Sequence, residues 1–391
     1  MTISLRKVMF LACLAFLPSD GDLKPQQKDT GFQYQPANNI SIRSMGDILQ
    51  DINQNDCFEY YQDDLCFNSP PVLGQAELEK LPSRLKRAGK WHSFANKPWV
   101  KTVFPNWSES LRHKVEQSII YRPETVLPNS IPQWLEPYQI SIKTPMGNIL
   151  QAYYKPPKTN QDFVWKLTHG NAHGIPPMAN VLEASGLKTS DTGFLIYALP
   201  GYHDSTGQLK EADMIDAFQG TTDYLVTQGV ERDRQPVMGI SLGGAITTLG
   251  VAQDPKGNEH PAVVIVQSFT RSSDAFDTFL KKTGMSVKEW SRRDQLEQSY
   301  RADLAIKQLQ NPLVVFCIGD EDSLLPPSMM EAQMTRLESM NYPNQKILVF
   351  RSEADHNPQE MCSSYAGHVD EIEAIAKFLK AQPPATQLSA K

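Results

Sequence analysis

The sequence predicts an α/β protein built on a doubly wound, mostly parallel sheet of about eight strands. Three observations carry this expectation. Short runs that are apolar throughout, such as FLIYAL, PAVVIV and LVVFCIG, recur beyond residue 137, and strands apolar on both faces belong inside a parallel sheet covered on each side. Segments with apolar residues at helical spacing separate those runs. The runs also end in turns rich in Gly, Pro, Asp and Ser. Right-handed crossovers then wind such a sheet on both faces.

The elements follow in order. YQISIKT alternates apolar and polar residues, PMGN is a turn, and ILQAYYK returns, so 137–155 reads as a half-buried antiparallel hairpin. DFVWKLTHGN is a strand ending in a Gly-containing turn, and MANVLEASGLK is helical. TGFLIYALPGY is a strand closed by Pro200-Gly201, and MIDAFQGTTDYLVTQG a helix stopped at Gly229. QPVMGISLGG is a strand and tight turn, AITTLGVAQ a helix, and PAVVIVQSF a strand. Residues 271–310 are charged and helical, with Phe276, Phe279, Leu280, Met285 and Trp290 at helical spacing. They read equally as a small cap over a site or as a plain packing segment. NPLVVFCIGDED and QKILVF are the last strands; SMMEAQMTRLESM and VDEIEAIAKFLKAQ are the helices that follow them.

The chain has 391 residues, is 40% hydrophobic and 21% charged, and carries a net charge of −6. That suits a globular protein and gives no electrostatic footprint for nucleic acid. At the N-terminus, Arg6 and Lys7 precede an apolar run from Val8 to Leu17 that Pro18 ends. Residues 1–22 thus have the pattern of a secretory signal, too short to span a bilayer and without an Ala-x-Ala cleavage site. Export or membrane association through this segment is one expectation; a buried N-terminal helix in a cytoplasmic protein is the other. Residues 23–45 read as a polar linker and 46–135 as a mostly helical extension, so 23–135 precedes the α/β domain at 136–385. Of the five cysteines, Cys57 and Cys66 could close a small loop or stay as free thiols, and Cys317 lies in an apolar run. No Cys-x-x-Cys pair exists, so no metal site is expected.

Ligands of an open α/β sheet bind beyond the carboxyl ends of its strands. Those ends here carry Thr168-His169-Gly170-Asn171, then Pro200 to Ser205, Ser241, Asp320-Glu321-Asp322, and Arg351 to His356. Chemically competent side chains therefore gather on one edge of one sheet.

These ordered motifs resemble the α/β-hydrolase superfamily, in its serine-nucleophile branch, over residues 137–380. A looser likeness, in the GNA, GY and SLGG blocks, is to the chlamydial CHLPS-type proteins. GISLGGA fits the nucleophile elbow Gly-x-Ser-x-Gly, with Ser241 between Gly239 and Gly243. GDEDSLLPP resembles the family's acid loop, which favours Asp322 over Asp320. His356, in RSEADHNPQ, precedes Phe378 by 22 residues and suits the family's histidine better than His368, at the head of the last helix. HGNA at 169–172 resembles the oxyanion loop, so the backbone N–H groups of Asn171 and Leu242 are the implied donors. In LPGYHDSTG, His203 stands where the family has a second glycine.

The resemblance implies a serine hydrolase that cleaves an ester, thioester or amide through an acyl-enzyme, with Ser241, His356 and Asp322 as triad. No metal or organic cofactor is implied. The substrate is an acyl-containing small molecule, a lipid or a peptide. Acyl transfer on the same site and a non-catalytic binding protein on this fold are the alternatives.

Overall fold

The computed structural model describes residues 57–62, 121, 131–171, 174–282, 299–311, 313–342, 345–356 and 368–381. Its strands are β1 (Cys57–Gln62), β2 (Gln139–Lys143), β3 (Ile149–Lys155), β4 (Val164–Thr168), β5 (Gly193–Tyr197), β6 (Val237–Ile240), β7 (Val263–Val266), β8 (Leu313–Gly319) and β9 (Lys346–Ser352). The α-helices are α1 (Ile175–Ala184), α2 (Glu211–Thr227), α3 (Leu242–Gln253), α4 (Ser272–Lys282), α5 (Ala302–Ala305), α6 (Pro327–Glu338) and α7 (Val369–Ala381).

The strands form one sheet in the order β1-β9-β8-β7-β6-β4-β5-β3-β2. The hairpin β2–β3 and the pair β3–β5 are antiparallel, and the other neighbours are parallel. The α/β sheet of eight strands read from the sequence is therefore β2 to β9. β1, on the far edge, pairs with β9 from Cys57 against Ile347 to Gln62 against Ser352; it is an additional strand within the segment taken as a mostly helical extension. Apart from β1, Tyr121 and residues 131–135, that segment and the signal-like run lie outside the described residues, as does Cys66.

β4 to β8 are buried along their whole length, which is why their sequences are apolar without alternation. Adjacent residues of β4 show that both faces are covered. Trp165 Nε1 donates to Glu373 Oε1 of α7 at 2.7 Å, whereas Lys166, facing the other way, donates to the Phe218 carbonyl of α2 at 3.1 Å. On that second face α2 and α3 lie so close that a Cβ on Gly250 would meet the Phe218 ring at 2.3 Å. Tyr121, 1% exposed, ties the N-terminal region to the segment before α5: its hydroxyl is 2.5 Å from that of Tyr300. Of the cap-like stretch, α4, α5 and the turn after it are described; Met285 and Trp290 lie outside the described residues.

The strand order reverses between β4 and its neighbours β5 and β6, a topological switch point. Register aligns Thr168 with Gly239, Ile240 with Val266, and Gly319 with Ser352. The loops that start at His169, Ser241, Gln267, Asp320 and Glu353 consequently leave the sheet along one edge.

Candidate active site

Ser241 occupies the turn between β6 and α3 with φ 54° and ψ −118°. A non-glycine residue in this region costs on the order of 1–3 kcal/mol and persists where its surroundings enforce it. Here they do. Ser241 N–H donates to the Val266 carbonyl at 2.8 Å, Gly244 N–H donates to the Ser241 carbonyl at 3.0 Å, and the buried Ser268 hydroxyl donates to that same carbonyl at 2.8 Å. The turn also depends on close approach. A Cβ on Gly239 would lie 2.2 Å from the Gly243 carbonyl oxygen, and one on Gly243 would lie 2.2 Å from that of Thr168. The glycines of the motif are thus positions where backbone meets backbone.

Ser241 Oγ lies 3.1 Å from His356 Nε2, and His356 Nδ1 lies 2.7 Å from Asp322 Oδ2. The other Asp322 oxygen accepts from the N–H groups of Leu324 at 2.9 Å and Leu325 at 2.7 Å. Both carboxylate oxygens are engaged, and the residue is 3% exposed. Because Asp322 is acceptor-only, Nδ1 carries the ring proton and Nε2 presents its lone pair to the serine hydroxyl.

The competing candidates are bound elsewhere. Asp320 accepts from Arg351 Nη2 at 2.7 Å, and Arg351 also donates to Glu331. His368 stacks on Phe350 with ring centroids 4.4 Å apart and meets Glu371 Oε2 at 2.9 Å.

Asn171 ends the described part of the loop after β4. Tyr202 Oη donates to its side-chain oxygen at 3.1 Å. His169, fully buried, donates from Nδ1 to the Gly170 carbonyl at 2.7 Å and accepts from Leu199 N–H at Nε2, 3.0 Å away. Burial pushes its pKa down to about 3, so a neutral ring braces the loop. The Thr168 carbonyl against Gly243 brings this loop to the start of α3. Leu242 N–H, the first of that helix, sits at the positive end of its dipole. His203 has φ 48°, the region in which the family's glycine would be at ease. Its Nε2 accepts from Ile175 N–H at 3.2 Å, at the start of a helix whose next two residues, Pro176 and Pro177, have no N–H to offer. Burial lowers its pKa and favours the neutral acceptor.

Three residues outside the sequence-derived set complete the site's frame. Ser268 holds the Ser241 carbonyl. Gln267, at φ 38°, lies over Gly319, where a Cβ would overlap its amide, and reaches the Ala354 carbonyl at 3.4 Å. Asp355 joins the two loops that carry Asp322 and His356. Asp355 stands beside His356 in the sequence, a hint of a local role; nothing in the sequence shows that Ser323 lies next to it. Among the described residues no three His, Cys, Asp or Glu side chains converge as a metal site requires.

The sheet has the strand order of an α/β-hydrolase, and the Ser241–His356–Asp322 line has the geometry that serine hydrolases use. Residues 201–383 match the prolyl oligopeptidase family of S9 peptidases, a stretch that contains Ser241, Asp322 and His356. No curated protein matches the chain. Solved structures similar to it include an esterase of Pyrococcus furiosus, at 15% identity and TM-score 0.46, over 62% of this chain and 89% of that one. Another is an acylaminoacyl peptidase of Pyrococcus horikoshii, at 13% identity and TM-score 0.46, over 65% of this chain and 43% of that one. A puromycin-hydrolyzing peptidase of Mycobacterium tuberculosis aligns at 15% identity and TM-score 0.46, over 62% and 39% of the respective chains.

Proposed function

We propose that the protein cleaves an ester, thioester or amide bond through an acyl-enzyme on Ser241. The observation that carries this is the continuous hydrogen-bonded line from Ser241 Oγ through the His356 ring to Asp322, at 3.1 and 2.7 Å. His356 Nε2 takes the hydroxyl proton as Oγ attacks the acyl carbon, and then returns it to the leaving oxygen, sulfur or nitrogen. Asp322, fixed by the Leu324 and Leu325 amides, holds the ring in the tautomer this needs. The oxyanion falls to the N–H groups of Leu242, the first residue of α3, and of Asn171, in the loop after β4. Water then attacks the acyl-enzyme with His356 again as base.

The substrate is an acyl-containing small molecule or a peptide, the chemistry that a serine nucleophile and an S9-type domain have in common. A lipid acyl group is a further candidate, and residues 1–22 would bring the enzyme to the export route or to a membrane surface. Fractionation with and without that segment tests the location.

The test of activity is a fluorophosphonate probe on wild type and Ser241→Ala, followed by p-nitrophenyl esters of graded acyl length and aminoacyl naphthylamides. Labelling and turnover by wild type alone support the reading. Equal behaviour of the two proteins would sink it. Added alcohol or amine acceptors separate hydrolysis from transfer by the product formed.

A further inference from the structure

We propose that Asp355 is a positioning residue for His356, acting as the clasp that holds the histidine loop on the acid loop. This rests on the reading of His356 as the general base. Asp355 Oδ1 accepts three hydrogen bonds: from Ser323 N–H at 2.9 Å, from Ser323 Oγ at 3.0 Å and from His356 N–H at 2.7 Å. Ser323 directly follows Asp322, and Asp355 directly precedes His356. The two loops therefore grip each other twice through neighbouring residues. Asp322 reaches across to the His356 ring at 2.7 Å, and Asp355 reaches back to the backbone next to Asp322.

The clasp answers a mechanical need. His356 stands four residues beyond the end of β9, past the reach of the sheet's own hydrogen bonds. Its ring must meet an oxygen on either side, at 2.7 and 3.1 Å. The Asp322 contact alone leaves the backbone of residue 356 free to pivot about that bond. The Asp355 carboxylate holds the adjacent His356 N–H and is itself tied to Ser323, so the main chain beside His356 and the His356 ring are both anchored to the acid loop. These three contacts need an acceptor oxygen at Oδ1, and their donors are neutral. Asp355 itself is exposed, so its hydrogen bonds compete with water and contribute little to global stability. Their effect falls on geometry, where a displacement of about 1 Å in a reacting group costs up to about 100-fold in rate.

The experiment compares wild type, Asp355→Ala and Asp355→Asn in the full chain. It reads p-nitrophenyl acetate hydrolysis, the second-order rate of fluorophosphonate labelling, and thermal unfolding. Asp355→Ala should lower kcat and the labelling rate together by about 10–100-fold, with KM and Tm close to wild type. Asp355→Asn, which keeps the oxygen, should recover most of that loss. The proposal is overturned if Asp355→Ala labels at the wild-type rate, if its loss follows a matching fall in Tm, or if Asn is as slow as Ala. A wild type that does not label overturns the reading of Ser241 and this proposal with it; a labelled wild type with an equally labelled Ala variant overturns this proposal alone.

Discussion

Gly239 and Gly243 face each other across the turn that carries Ser241, with the Gly243 carbonyl oxygen 2.2 Å from where a Gly239 Cβ would stand. A methyl group at either position has to displace main chain: Gly243 itself in one case, the carbonyls of Thr168 and His169 in the other. Gly239→Ala or Gly243→Ala should therefore destabilise the fold by about 1–3 kcal/mol, the usual cost of overpacking, and slow labelling of Ser241 as well. Urea unfolding checks the first and probe kinetics the second. Wild-type behaviour in both would mean that the turn is looser than these contacts require.

Asp322→Asn separates orientation from packing. The amide oxygen can still accept from Leu324 and Leu325, but its NH₂ group then faces His356 Nδ1 and favours the wrong tautomer. The expected loss in kcat is about 10⁴-fold with the fold intact, the order that this change costs in serine hydrolases with a triad. Asp320→Asn, which weakens the pair with the partly buried Arg351, should stay within about threefold of wild type. Steady-state kinetics of the two variants decide it; the reverse ranking would assign the acid to Asp320.

The two histidines of the C-terminal region should behave as differently as their surroundings. His356→Ala removes the proposed base and should abolish labelling. His368→Ala removes a ring stacked on Phe350 and a pairing with Glu371 at the head of α7. That change should cost at most about 1 kcal/mol of stability and leave activity near wild type. Labelling that survives in His356→Ala and fails in His368→Ala would exchange their roles.

Acid should destabilise the protein through its buried histidines. His169 and His260 are both fully buried with pKa values pushed down to about 3, chiefly by burial, whereas in the unfolded chain histidine titrates near 6.5. Between about pH 6.5 and 3 the unfolded state binds more protons, so stability rises with pH there. The contribution is fully present above pH 6.5 and is lost as the pH falls, with each histidine adding a slope that approaches about 1.4 kcal/mol per pH unit. Urea unfolding at pH 7, 6 and 5 measures the slope, and His260→Gln should make it shallower. An unchanged slope in that variant would mean that His260 does not stay neutral in the fold.

The sheet was legible because burial on both faces leaves a local trace: VVIV and LVVFCIG are apolar at every position. β2 was legible by alternation, with Ile140 and Ile142 set between exposed neighbours; β3, expected to be half-buried, is instead buried on both faces from Leu150 to Tyr153. Ser241, Asp322 and His356 could be singled out because each stands just past such a run, and the sheet gathers those ends. What escaped the sequence are links between loops far apart in the chain. Asp355 to Ser323, Gln267 to Ala354 and Ser268 to the Ser241 carbonyl use backbone donors and acceptors that every residue possesses. β1 escaped as well, since CFEYYQ is a single short run amid polar sequence, and its pairing with β9 is a long-range contact. The positive φ of His203 has only a weak signature in its residue type; its place in a glycine-bearing motif points to it more directly.

The central claim is that Ser241 carries the acyl group. Rapid quenching of a reaction with a slowly released p-nitrophenyl ester, followed by intact-mass and peptide mass spectrometry, tests it directly. The account predicts one acyl adduct per chain on the peptide containing Ser241, absent from Ser241→Ala. Turnover without any adduct, or an adduct on another residue that persists in Ser241→Ala, would contradict it.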